Sequence, residues 1–488
     1  MEQLSVQIND TSLFATALPR QLGIAFHNIG SGVLRASNPE IILKIKAHYG
    51  ERCGHIPWQC DHVRLLVTEH TPAAQEQIAY QSQLFGKQMQ AATIEELIRD
   101  QQDLSLEQAA LIVPYINVPE DESWLQQMLP AESWGLPGQM VSILKNKADF
   151  YCLLDDYALP DFQAPDYRIA PITNLIQQAS DFLKEIAELY RETNLTQYPL
   201  GIMLRAAESD GNYGCCLLYQ RGAVITLVPN GDVSLTSDYM RWPAALAAAQ
   251  QHLLATMDIS KETRIVLSRY IEFADSPGMS MVIMQGQIAS LRWNGQIQKE
   301  GSKACVGTTT YQPQNALIAQ LRQEYEDQTI ACFEQLLRLT ARKCQVEFNS
   351  LCGLANIDIM LPGPLEEELL KQRGQKATLY IAECNPRWTN YTDAIMSILG
   401  ANREIPTINT MRATIQRELQ AFDKYELPAT VDPRRLRDRI AEADEKLKYH
   451  GTRIICRMPK NPLGVIFAGD VAHAQRELIH IIQELATS

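Results

Sequence analysis

The chain has 488 residues, 46% of them apolar and 21% charged, with a formal net charge of −13. That is the composition of a globular protein long enough for about three domains, and its acidity excludes nucleic acid or an anionic membrane surface as a partner, since either would repel it. No apolar run approaches the ~18 residues needed to cross a bilayer, and the acidic start MEQLSVQIND lacks a basic segment ahead of an apolar core, so a cytoplasmic location is expected.

Eleven unevenly spaced cysteines read as reduced thiols in a reducing compartment. Cys53, His55, Cys60 and His62 put four zinc-competent ligands close together, but their spacing matches no finger or ribbon pattern. A loop with ordinary buried thiols is preferred there over a metal site.

In chain order, the first ~140 residues alternate short apolar runs with helical periodicity, the pattern of an open α/β layer. Strands are predicted at Leu22–His27, Val63–Thr68 and Ala110–Val113, and helices at Pro39–Tyr49, Gln75–Phe85, Ile94–Asp100 and from Glu120 onward. The IGSG turn at residues 29–32 is read as a plain turn rather than a phosphate loop. One helix is expected from Gln139 until the Leu159–Pro160 pair ends it. A helix at Asn174–Thr193 leads to a strand, Gly201–Leu204, that ends in Arg205. A small polar loop with Ser209, Asp210, Gly211 and Gly214 follows, and its glycines would let backbone amides fold over a triphosphate. A strand at Arg264–Leu267 runs into Ser268, Arg269, Tyr270 and Ile271, and MSMVIM and QGQI read as two strands joined by a glycine turn. The Gly/Ser/Thr-rich stretch Gly301–Pro313 is expected as a loop on the substrate side, and a long helix at Asn315–Leu339 follows it.

The most informative stretch is Thr378–Thr392, TLYIAECNPRWTNYT: a short apolar strand followed by Glu383, Asn385 and Arg387 at every second position. Side chains two apart on a strand leave the same face, so a carboxylate, an amide and a guanidinium would share one cleft. Carboxylate and amide oxygens suit a hard cation, and the guanidinium suits phosphate or an oxyanion. Upstream, GLANIDIM (Gly353–Met360) offers a second strand with one acid, Asp358, which a metal shared with Glu383 would relieve of the cost of isolated burial. Residues 362–376 between them suit a hairpin connection. Beyond the motif come a helix at Asp393–Leu399, a capped helix from Asp432 and Pro433, two strands and a closing helix.

IDIM followed by YIAECNPRWTNYT resembles the metal-binding end of the ATP-grasp superfamily of ATP-dependent carboxylate ligases, and the N-terminal region resembles the domain preceding the core in pheganomycin-type peptide ligases. The resemblance implies an α/β (α+β) fold: an N-terminal open α/β pre-ATP-grasp domain (1–138), an ATP-grasp lobe with the phosphate loop (139–267), a second lobe with the metal site (268–405), and a small strand-helix extension (406–488). It implies Asp358, Glu383 and Asn385 as metal ligands, and Arg387 and Arg205 as catalytic groups. Lys147, Arg205, Ser209, Asp210, Gly211 and Gly214 would contact the nucleotide phosphates, with Lys145 competing for the role of Lys147. Arg269, Tyr270, Ile271 and Glu272 would form the adenine and ribose hinge. The family's usual lysine is replaced by Arg205 and its usual hinge acid by Ser268. ATP and Mg2+, or Mn2+, are the implied cofactors. The implied reaction joins a small acid, amino acid or peptide to an amine through an acyl phosphate, with a homodimer admitted as the assembly. The alternative is an ATP-binding scaffold or regulator weakened in catalysis.

Overall fold

The computed structural model describes residues 9–14, 22–28, 37–43, 56, 60, 62–67, 69–103, 110–129, 131–157, 159, 162–209, 213–258, 264–298, 305–310, 316–375 and 379–487. The described chain is a mixed α/β structure built on three sheets.

The first sheet is parallel, with β1 (Leu22–Phe26), β2 (His62–Leu66), β3 (Met89–Ala92), β4 (Ala110–Pro114) and β5 (Ala131–Ser133) in the order β3-β2-β1-β4-β5. Its central strands β1 and β4 are short apolar runs, and β4 is buried along its whole length, as a parallel strand covered on both faces requires. The helices expected here form at Pro72–Phe85, Ile94–Asp103 and Pro119–Met128. The first is capped by the Thr71 hydroxyl, which accepts from Ala74 N, and ends at left-handed Gly86.

A two-residue strand, β6 (Phe162–Gln163), precedes the second sheet. That sheet comprises β7 (Tyr167–Pro171), β8 (Gly201–Ala206), β9 (Cys215–Arg221), β10 (Val224–Pro229), β11 (Ser237–Tyr239) and β12 (Arg264–Arg269), all antiparallel, in the order β11-β10-β9-β8-β12-β7. Helices Leu175–Glu192 and Trp242–Thr256 bury apolar faces in its core, including Phe182, Ile186, Leu246 and Leu253.

The third sheet holds β13 (Phe273–Asp275), β14 (Gly278–Met284), β15 (Gln287–Gln298), β16 (Cys305–Thr310), β17 (Cys352–Pro362), β18 (Leu379–Asn385), β19 (Leu419–Tyr425), β20 (Arg453–Met458) and β21 (Leu463–Ala468). Its order is β20-β21-β19-β16-β15-β14-β17-β18-β6, with β13 pairing β17 off that path. The C-terminal strands thus continue the sheet that carries Asp358 and Glu383.

Three local expectations are corrected. The single helix expected from Gln139 is two, Gly138–Lys145 and Lys147–Tyr157. Asn146 breaks it: its backbone is extended, and its Oδ1 accepts from Ala148 N and Asp149 N, both at 3.1 Å, opening a new helix. The loop expected at Gly301–Pro313 contains β16, a strand between β15 and β19, where valine and threonines fit a pleated surface; residues 301–304 and 311–313 lie outside the described residues. Between β17 and β18 the connection is no plain hairpin but includes the helix Pro364–Gln372, with proline in its first turn and acids following.

Of the other expectations, residues 44–49 of the helix predicted at Pro39–Tyr49, the IGSG turn, Cys53 and His55 lie outside the described residues. Cys60 is fully buried, every described cysteine is a free thiol, and among the described residues no three His, Cys, Asp or Glu side chains group as a metal site. No described helix is long and apolar enough to cross a membrane.

Candidate functional site

Strands β17 and β18 run antiparallel with Asp358 opposite Glu383 and Asn356 opposite Asn385. The alternation of each strand therefore delivers all four side chains to one face. Two carboxylates directly opposite one another repel unless a proton or a cation intervenes. Burial first, and then the charge of Glu383, push the Asp358 carboxyl well above the ordinary range. Burial would raise Glu383 as well, but Lys147 and Arg205 outweigh it and hold its carboxyl below the ordinary range.

Asn385 bridges the pair, its Nδ2 donating to Asp358 Oδ2 at 3.1 Å and to Glu383 Oε1 at 3.3 Å. Arg387 donates through Nη2 to Asn385 Oδ1 at 3.0 Å and through Nη1 to the carbonyl of Trp388 at 2.8 Å. Its guanidinium also lies 5.7 Å over the Tyr115 ring, at the carboxyl end of β4, and Trp388 N donates to Tyr115 O. The N-terminal sheet thereby meets the acidic pair through Arg387.

The helix break at Asn146 decides which lysine arrives. Lys147 opens the new helix, its Nζ stands 3.2 Å from Glu383 Oε2, and it donates to the carbonyl of Ser209. Lys145 turns to Glu208, 3.7 Å away, with both side chains buried, and Asn146 Nδ2 donates to the same Glu208 at 2.9 Å.

Arg205, on β8, donates through Nη1 to the carbonyl of Ala382 at 2.9 Å and through Nη2 to the Tyr151 hydroxyl. Tyr151 also donates to Ala382 O at 3.1 Å. Burial alone would lower the Arg205 pKa, but Tyr151 and Glu383 raise it. Its Nε, shielded from solvent, has no hydrogen-bond partner among the described residues. The loop after β8 is pinned at both ends: Ser209 N donates to Ala206 O, and Ala206 N donates to the carbonyl of Gly214, which sits at φ 73°. Asp210 and Gly211 lie outside the described residues.

The segment expected as a hinge is laid out differently from the acidic pair. The Arg269 side chain turns into a separate buried network, donating to Asp166 at 2.8 Å and to both oxygens of Glu366 at 2.8 and 2.7 Å, with Arg269 and Glu366 side chains at 0% exposure. Glu366 also accepts from the hydroxyls of Tyr198 and Tyr380, at 2.5 and 2.6 Å. Tyr270 N donates to Gly201 O and Glu272 N to the Tyr198 hydroxyl. Glu272 Oε2 accepts from Leu365 N at 3.2 Å, at the start of the helix that carries Glu366. Ile271 is buried beside Leu370 and Tyr380.

Sequence reasoning passed over Tyr151, Gly278, Ser280, Asn294 and Asn356. Only Asn356 carried a readable signal, two residues before Asp358 on the same strand face. A cavity of about 980 Å³ lined by Tyr80, Arg403, Arg417 and Arg453 lies elsewhere, whereas a small crevice lined by Tyr115, Trp134, Arg387 and Trp388 adjoins the site.

The donor set fits a divalent cation with nucleotide phosphates. Opposed carboxylates provide hard oxygen ligands, Asn385 could add its own oxygen only with its amide turned over, since Nδ2 now faces the carboxylates and Oδ1 faces Arg387, and Lys147 with Arg205 provides positive charge beside them.

No protein-family model and no curated protein matches the chain. Among solved structures it is similar to N5-carboxyaminoimidazole ribonucleotide synthetase from Thermus thermophilus, at 10% identity and TM-score 0.48 over 95% of this chain and 99% of that one. It is similar to N5-carboxyaminoimidazole synthase from Aspergillus clavatus in complex with ADP and its aminoimidazole ribonucleotide, at 13% identity and TM-score 0.47 over 96% and 99%. A biotin carboxylase from Campylobacter jejuni matches at 10% identity and TM-score 0.48 over 92% and 87%. At TM-scores below 0.5 these likenesses assign neither substrate nor reaction to this chain.

Proposed function

We propose that the protein is an ATP-dependent carboxylate–amine ligase of the ATP-grasp type, acting on a small acid, amino acid or peptide. The observation that carries the reading is the register of β17 on β18, which sets Asp358 against Glu383 with Asn385 between them and Lys147 on Glu383. Asp358, Glu383 and Asn385 would hold magnesium or manganese, whose charge offsets that of the nucleotide phosphates when bound. Lys147 and Arg205 stabilise negative charge on the transferred phosphoryl group, and Arg387 orients the substrate carboxylate. A carboxylate oxygen attacks the γ-phosphorus, an O–P bond forms, the bond to ADP breaks, and an acyl phosphate results. The amine nitrogen then attacks the acyl carbon, phosphate leaves with the C–O electron pair, and the nitrogen loses a proton to solvent. The protein's part is positioning and electrostatics, and no side-chain nucleophile is required.

A second reading, an ATP-binding regulator without turnover, is favoured by one observation: two arms of the Arg205 guanidinium are already held by Ala382 O and Tyr151. Hydroxylamine separates the two. With ATP, Mg2+ and a panel of carboxylic and amino acids, a ligase converts its acyl phosphate to a hydroxamate. A protein that binds ATP yet forms hydroxamate with none of them is the regulator.

A further inference from the structure

Behind Asp358 lies a hydrogen-bonded row that crosses three strands of the central sheet. Asn294 on β15 donates through Nδ2 to the Ser280 hydroxyl on β14 and to Asn356 Oδ1 on β17, both at 2.9 Å. Ser280 Oγ donates to the same Asn356 oxygen at 3.0 Å. With that oxygen accepting twice, the Asn356 amide has one orientation open to it, and its Nδ2 donates to Asp358 Oδ1 at 2.8 Å. Asp358 Oδ2 meanwhile accepts from Asn385, so each carboxylate oxygen has one fixed donor and keeps lone pairs free. Gly278, opposite both Asp358 and Asn294, leaves the row its room.

Ser280, Asn356 and Asn294 are 0%, 5% and 8% exposed. Three polar side chains this deep in a sheet cost desolvation that apolar residues would not, and the bonds of Asn294 and Ser280 converge on Asn356, which alone of the three donates to Asp358. We propose that Asn356, Ser280 and Asn294 are positioning residues that fix the Asp358 carboxylate and thereby set the divalent-cation affinity of the site. The inference rests on the reading of Asp358 as a cation ligand. The row acts as outer partners of a metal ligand do, by orienting it, and losing such a partner typically weakens metal binding about 10- to 100-fold.

The test is direct titration with Mn2+ in the presence of ADP, with free Mn2+ read by electron paramagnetic resonance, on the full-length chain. Asn294→Ala and Ser280→Ala are expected to raise the Mn2+ dissociation constant by about 10- to 100-fold, with ADP binding in the absence of metal and cooperative unfolding both retained. If Asn294→Ala fails to fold, Ser280→Ala, which removes one hydroxyl, decides alone. Unchanged Mn2+ affinity in the folded variants, while Glu383→Gln loses Mn2+, overturns the positioning role and leaves the cation site standing. Unchanged Mn2+ affinity in Glu383→Gln as well overturns the cation site itself.

Discussion

Replacing Gly278 by alanine sets two effects of known size against each other. The residue lies in β14 without a positive φ, so alanine fits the backbone and should stabilise by about 0.4–1 kcal/mol through the unfolded chain. Its new Cβ, however, would stand 2.7 Å from Asn294 Oδ1, 2.8 Å from Asp358 Oδ1 and 3.0 Å from Asn356 Nδ2. Contacts that short force movement, and inserting a methyl into a packed site costs about 1–3 kcal/mol. The net expectation is a loss of about 1 kcal/mol, inside the span of about 0–2.6 kcal/mol that the two ranges allow. Asn294 and Asp358 both have to give way, and a displaced Asp358 carboxyl should weaken cation binding as well as the fold. Urea unfolding monitored by circular dichroism gives the first quantity, and Mn2+ titration with ADP gives the second. A Gly278→Ala protein as stable as wild type, with wild-type Mn2+ affinity, would refute both the crowding and the placement of the site.

Lys147→Met removes the ammonium beside Glu383 and should lower single-turnover hydroxamate formation by about 10²- to 10³-fold, the usual worth of one preorganised charge-stabilising group; a rate within error of wild type would take Lys147 out of the site. Glu366→Gln leaves buried Arg269 with Asp166 alone as its anion and should cost up to about 3–5 kcal/mol in urea unfolding, while Arg269→Met combined with Glu366→Leu recovers most of that loss. For Asp166, burial would raise the carboxyl pKa, but Arg269 and Arg373 outweigh it and lower the value. A group depressed in the folded state stabilises above its unfolded pKa of about 3.9 and loses that contribution as pH falls through the folded value. Asp166→Asn should therefore be less stable than wild type at pH 6, with the gap closing on acidification toward pH 3; a gap that is constant or widens with acid contradicts the ion-pair origin.

What the sequence by itself determined is what short-range geometry encodes. Glu383, Asn385 and Arg387 share a face because a strand repeats every two residues, and that holds in β18 whatever surrounds it. The same rule applies to Asp358 in β17 and would have added Asn356. The N-terminal strands and helices were legible because their apolar periods and caps lie within a few residues of each other. Tertiary structure decided the rest, because each remaining choice depends on a distant partner. Lys147 rather than Lys145 reaches Glu383 because Asn146 breaks the helix, an effect secured by Glu208 on another element. The stretch at Cys305–Thr310 is a strand because β15 and β19 offer it ladders on both sides. The Arg269 side chain is placed by Glu366, 97 positions away, which no local pattern announces. The row from Asn294 to Asp358 has no signature along the chain, because its hydrogen bonds span 14 to 76 positions before reaching Asn356 and exist only once the register of three strands is set.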